Sequence, residues 1–117
     1  MEYSLAPVET RFAEIIWARE PLSSGELVEI CEKELNWKKS TTYTVLKRLC
    51  EKKMFVNEGG TVASLVSKEG YESIQAEKIV EDVFAGSLPA FLNAFTKNRT
   101  LSKKDAEKLK EMIDLIS

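Results

Sequence analysis

Between Lys38 and Lys53 six cations meet one acid: Lys38, Lys39, Lys47, Arg48, Lys52 and Lys53 stand against Glu51. Ser40, Thr41, Tyr43 and Thr44 lie among them, and their hydroxyls can both donate and accept hydrogen bonds. This mixture suits phosphates, which respond to charge, and base edges, which respond to directed donors and acceptors. The rest of the chain is less hospitable to an anion. Residues 1–37 carry eight acids and three bases, and the formal net charge is −2. Salt screens charges beyond about 10 Å, so the local balance of +5 over residues 38–53 decides what that segment attracts. Taken alone, such a run is as readily a solvated lysine-rich helix face.

No comparable cluster supports catalysis or metal binding. The chain has no histidine, the commonest general base. Its two cysteines, Cys31 and Cys50, fall on the apolar sides of expected helices and read as small buried hydrophobes. Two distant thiols are too few for a conventional zinc or copper site, and a disulfide is unfavoured in a reducing compartment. The carboxylates are scattered along helix surfaces. No catalytic residue, metal or cofactor is expected, and an enzyme is the least favoured class. No apolar run approaches the roughly 20 residues of a membrane span. Met1-Glu2-Tyr3-Ser4 lacks the basic start of an export signal. A cytoplasmic protein without membrane partners is expected.

The elements that must hold the basic segment can be read from periodicity. Pro7 to Arg19 places Val8, Phe12, Ile15, Ile16 and Trp17 at three-and-four spacing, with proline in the first turn, where its missing N–H is not needed. Glu20-Pro21-Leu22 ends that helix, and Ser23 or Ser24 caps a second one to about Glu34. A third helix, roughly Lys39 to Lys52, buries Thr42, Val45, Leu46 and Leu49 and turns Lys39, Ser40, Tyr43, Thr44 and Lys47 outward. Two β-rich runs, Met54–Asn57 and Thr61–Val66, flank Gly59-Gly60 and form a hairpin. Helices from Ser67 to about Phe84, Leu88 to Phe95, and after Ser102 complete the chain. The fold class is mainly α with a small β-hairpin wing. It comprises a winged helix-turn-helix domain over residues 1–66 and a helical region over 67–117.

In a helix-turn-helix the second helix of the motif lies in the major groove. Thr44 suits a base edge or a thymine methyl, and Tyr43 suits base or phosphate. Ser40 and Thr41 suit a phosphate near the helix N-terminus. Lys38, Lys39, Lys52 and Lys53 suit phosphates, and Arg48 suits either. Trp37 reads as an anchor for the turn in preference to a backbone contact. The wing carries no Lys or Arg between Met54 and Ser67 and is expected to add little affinity.

Several stretches resemble the penicillinase-repressor (BlaI/MecI/CopY) family of winged-helix transcriptional repressors. They are Ile15-Ile16-Trp17, Trp37-x3-Thr41-x2-Thr44, Leu46-Lys47-Arg48-Leu49-x2-Lys52, Leu65-Val66-Ser67-x-Glu69 and Leu101-Ser102-x2-Asp105-x-Glu107-x-Leu109. The resemblance implies a homodimer that represses transcription from a palindromic double-stranded DNA operator. It implies recognition positions at Lys39, Ser40, Tyr43, Thr44 and Lys47, with Thr41 and Arg48 on the DNA backbone. Three departures stand out. Lys53 replaces the glycine that usually closes the third helix. Ala94 separates Asn93 from Phe95, where β-lactam-responsive members are cut at an Asn-Phe bond by a regulatory protease. The tail has no cysteine, unlike the copper-responsive branch.

The helical region holds more apolar surface than a three-helix headpiece can cover, and a partner chain is favoured over an arm that folds back as ordinary core. Val83, Phe84, Leu88, Phe91, Leu92, Phe95, Leu109, Met112, Ile113 and Ile116 are therefore the expected dimerisation residues. Two other classes share this core pattern. One is a winged-helix module for an acidic protein partner, which salt dependence and site preference separate from a DNA reader. The other is a small-molecule-responsive regulator, which needs a pocket between headpiece and arm.

Overall fold

The computed structural model describes residues 4–117, and among them the chain forms six helices and one three-stranded sheet. In order these are α1 (Pro7–Arg19), β1 (Leu22–Ser23), α2 (Ser24–Leu35), α3 (Lys39–Glu51), β2 (Phe55–Glu58), β3 (Thr61–Ser64), α4 (Lys68–Phe84), α5 (Leu88–Phe95) and α6 (Lys103–Ile116). This is a winged helix followed by a helical C-terminal region, as the sequence predicts. The chain forms two compact units, one up to Ala76 and the other Glu77–Ser117. The first part of α4 therefore belongs with the N-terminal unit.

The N-terminal unit is built around Phe12, Ile16, Leu27, Leu49, Met54 and Phe55, all essentially without solvent access. Helix α2 begins with a reciprocal cap. Ser23 Oγ accepts from the Glu26 N–H (3.0 Å), and Glu26 Oε1 accepts from the Ser23 N–H (3.4 Å), satisfying two donors that a helix start leaves open. The short link to α3 is held by Asn36 in the left-handed region (φ 56°), a conformation asparagine tolerates. Trp37 stacks on Phe12 with centroids 5.5 Å apart. Its expected role as an anchor is what the packing shows.

Three features differ from the sequence reading. Leu22–Ser23 is not merely a helix break: it pairs with β3, Leu22 opposite Val62, so that the sheet runs β1-β3-β2 with all neighbours antiparallel. Leu65 and Val66 lie outside β3. Both of their N–H groups turn onto the Met54 carbonyl, at 2.8 and 3.2 Å. Val8 is half exposed, and the inner face of α1 is taken by Glu9, Phe12, Ala13, Ile15 and Ile16. The hairpin turn itself is as expected, with positive φ at Gly59 (57°) and Gly60 (88°), the arrangement that matches strand twist.

The α3 terminus explains how Lys53 takes a glycine's place. Lys53 has φ 65°. Its N–H donates to the Cys50 carbonyl (3.0 Å), and the Met54 N–H donates to the Leu49 carbonyl (3.2 Å). Those two bonds, with Leu49 and Met54 buried on either side, form a Schellman closure. A side chain in the left-handed region costs about 1–2 kcal/mol, partly offset because glycine frees the unfolded chain. Lys53→Gly is therefore expected to raise the unfolding free energy by up to about 1 kcal/mol, read from the urea midpoint.

The C-terminal unit is differently made. Ser87 caps α5 through the Ala90 N–H (3.1 Å), and Ser102 caps α6 through the Asp105 N–H (3.0 Å). Phe91 packs edge-on to Phe84 (5.5 Å) and beside Phe95 (6.1 Å). Yet no residue of α4, α5 or α6 is buried. Val83 is 69% exposed, Ile116 79% and Leu115 84%.

Candidate nucleic-acid interface

Helix α3 is amphipathic in the way a groove-reading helix needs. Thr42, Val45, Leu46 and Leu49 are buried, and Lys39, Ser40, Thr41, Tyr43, Thr44, Lys47 and Arg48 are exposed, with Lys38 exposed at the N-cap. No acid lies on the helix before Glu51. The start of α3 also contrasts with its neighbours. A glutamate accepts a capping N–H at the start of α1 (Glu9) and of α2 (Glu26). Helix α3 has neither a side-chain cap nor an acid in its first turn, so its positive dipole end faces outward beside Lys38 and Lys39.

Two outward side chains have fixed local partners. The Tyr43 hydroxyl donates to Ser24 Oγ (3.1 Å), tying α3 to the first residue of α2. The Thr44 hydroxyl donates to the Ser40 carbonyl (2.8 Å). With its proton directed into the helix, the exposed Thr44 hydroxyl keeps its oxygen lone pairs for accepting.

Arg48 and Lys52 are set apart from the other cations. Glu9, 8% exposed on the inner face of α1, accepts from Arg48 Nη1 at 3.1 Å through Oε2. Its Oε1 accepts from the Ala6 N–H (2.9 Å) and lies 3.9 Å from Lys52 Nζ. Lys52 Nζ also donates to the Ser4 carbonyl (3.0 Å). The Ala6 N–H bond holds the Glu9 carboxyl below the ordinary carboxylate range, aided by Arg48 and Lys52 and opposed by burial. Lys38, Lys39, Lys47 and Lys53 join no ion pair among the described residues. Glu9 was legible only indirectly. It lies at three-and-four spacing with Phe12, Ala13 and Ile16, an acid in the apolar stripe of its helix, and that position is the signal that it faces inward.

Cys31 is buried and Cys50 half-buried, and burial pushes both thiols up, away from the reactive thiolate. The wing tip is tied back to the body, because the Ser24 N–H donates to the Gly60 carbonyl (2.8 Å). Among the described residues no helix is long and apolar enough to cross a membrane.

A family model described as penicillinase repressor matches residues 5–115. The methicillin resistance regulatory protein MecI of Staphylococcus aureus strain Mu50 is 23% identical over 117 residues, covering 96% of this chain and 94% of that protein. A match that runs across both the winged helix and the helical region leaves neither part unaccounted for. The chain belongs to the penicillinase repressor family, a family of DNA-binding transcriptional repressors and not of enzymes.

Proposed function

We propose that the protein is a homodimeric repressor that binds a palindromic DNA operator through α3 in the major groove. The observation that carries this reading is the outer face of α3: donors, acceptors and lysines without an acid, backed by a buried aliphatic stripe. Lys38, Lys39 and Lys47 neutralise phosphates, and Ser40 and Thr41 join the uncapped backbone N–H groups in holding one. Tyr43 and Thr44 face the base edges. With its proton already committed, Thr44 accepts from an adenine or cytosine amino group or packs on a thymine methyl. Arg48 and Lys52, held by Glu9, contribute less to phosphate binding than their charge suggests.

The two parts of the chain divide the work, residues 1–66 reading DNA and 67–117 pairing the protomers. The exposed apolar side chains of α4 to α6 support pairing, because a patch of that size on a single chain marks an interface. Two-fold pairing then places two α3 helices on successive half-sites. Repression ends when pairing weakens, since one headpiece makes few contacts. A regulatory protease acting at Asn93–Phe95 has to unwind α5 first, because these exposed residues lie in its last turns. A chain cut there that keeps full operator affinity contradicts this route.

The test is Thr44→Ala. On the preferred duplex it should lose about 1–3 kcal/mol of binding while leaving binding to random duplex unchanged. For either protein, log affinity should fall against log salt with a slope of about 0.9 per phosphate neutralised. Equal affinities of the variant and the parent protein on the preferred duplex remove Thr44 from the base-reading set.

A further inference from the structure

Between α3 and the wing lies an open groove of about 510 Å³. Leu65, 59% exposed, and the half-buried Cys50 and Val56 supply its apolar surface over the buried Leu46 and Phe55, and Lys47 and Lys53 also line it. Its size and its mix of apolar wall with a few polar groups are those of small-molecule sites. It lies wholly within the N-terminal unit. Neither lysine is neutralised by an ion pair among the described residues. A cation is repelled there, whereas an anion gains attraction from both exposed ammonium groups. We propose that this groove binds a small amphipathic anion, its apolar body on the exposed Leu65 with the half-buried Cys50 and Val56 beside it, and its acid group drawn to Lys47 and Lys53. Tyr43 and Lys47 border the groove and also belong to the outward face of α3, so an occupant competes with DNA. That competition rests on the DNA reading of α3, whereas binding itself does not.

Decanoate below its micelle concentration is a suitable probe on the full chain, followed by amide NMR shifts and by maleimide alkylation of Cys50, the less buried thiol. Decanoate should slow Cys50 alkylation, shift amides around Leu46, Phe55 and Leu65, and lower affinity for random-sequence duplex. Decanol should protect Cys50 less. Lys53→Gly, which leaves the closure of α3 intact, should weaken decanoate binding about two- to fivefold, as for a partly screened charge. Leu65→Glu, at a side chain 59% exposed and so tolerated by the fold, should abolish it. Three outcomes overturn the site: no protection, equal protection by decanol, or shifts confined to α5 and α6 around Phe91 and Leu109. Decanoate that binds in the groove without displacing DNA sinks the competition alone, and duplex selection judges the DNA reading separately.

Discussion

Ile113→Glu combined with Ile116→Glu should give a folded chain that no longer pairs and binds a two-fold symmetric duplex at least about a hundredfold more weakly. The fold survives because both side chains are more than half exposed and neither belongs to the buried core. Pairing fails because each glutamate is desolvated against apolar surface with no partner, a cost of several kcal/mol per ion. Without pairing, the second headpiece loses the effective concentration that linkage confers, typically worth 10²–10⁴ in affinity. Sedimentation equilibrium and a DNA titration on the same sample read both effects. A variant that still sediments as a dimer places the interface elsewhere. A monomeric variant with full affinity removes pairing from the mechanism.

Glu9→Gln should weaken the fold and tighten DNA binding at once. Glutamine still accepts the Ala6 N–H, so the start of α1 is kept, while Arg48 and Lys52 lose their counter-charge. Charge-assisted hydrogen bonds are worth about 1.5–3 kcal/mol; with Arg48 54% exposed on its side chain, screening lowers the expected loss to about 1–2 kcal/mol. On DNA the effect reverses. Two freed cations should steepen the salt dependence by up to about 1.8, at roughly 0.9 per phosphate, and raise affinity for any sequence at low salt. A purely structural role for Glu9 predicts the stability loss without the steeper slope. The pH dependence is also signed. The folded-state pKa of Glu9 is depressed, so its contribution is full above the unfolded carboxylate value and lost as pH falls through the folded one. The stability gap between the parent and Glu9→Gln should therefore be constant near neutrality and close in acid.

Much of this was visible in the residues because local chemistry and global packing agree. Pro7 at the start of α1, the Ser23 and Ser102 caps and the Gly59-Gly60 turn each fit one backbone geometry, and each element forms where its signal stands. The stripe Thr42, Val45, Leu46 and Leu49 identified both faces of α3, because one apolar row leaves the rest of a helix to solvent. What was hidden depends on partners distant in sequence. A two-residue strand has no periodicity of its own, and Leu22–Ser23 is a strand only because Val62 and Thr61 lie alongside. Lys53 looked like a missing helix stop, yet the paired closure on Cys50 and Leu49 holds a lysine in a glycine's conformation. Charge counting gave Arg48 and Lys52 the same standing as Lys39. Their link to Glu9 spans 39 and 43 positions of chain and shows only once α1 and α3 are packed.

Selection of bound duplexes from a random pool tests the reading of α3 most directly. The parent protein should enrich a two-fold symmetric site with half-site centres about one helical turn apart, or a whole multiple of it. The Thr44→Ala protein should enrich a site altered at the same position in each half. A pool that stays unenriched, or one whose preference is untouched by changes at Tyr43 and Thr44, shows that this helix does not read DNA.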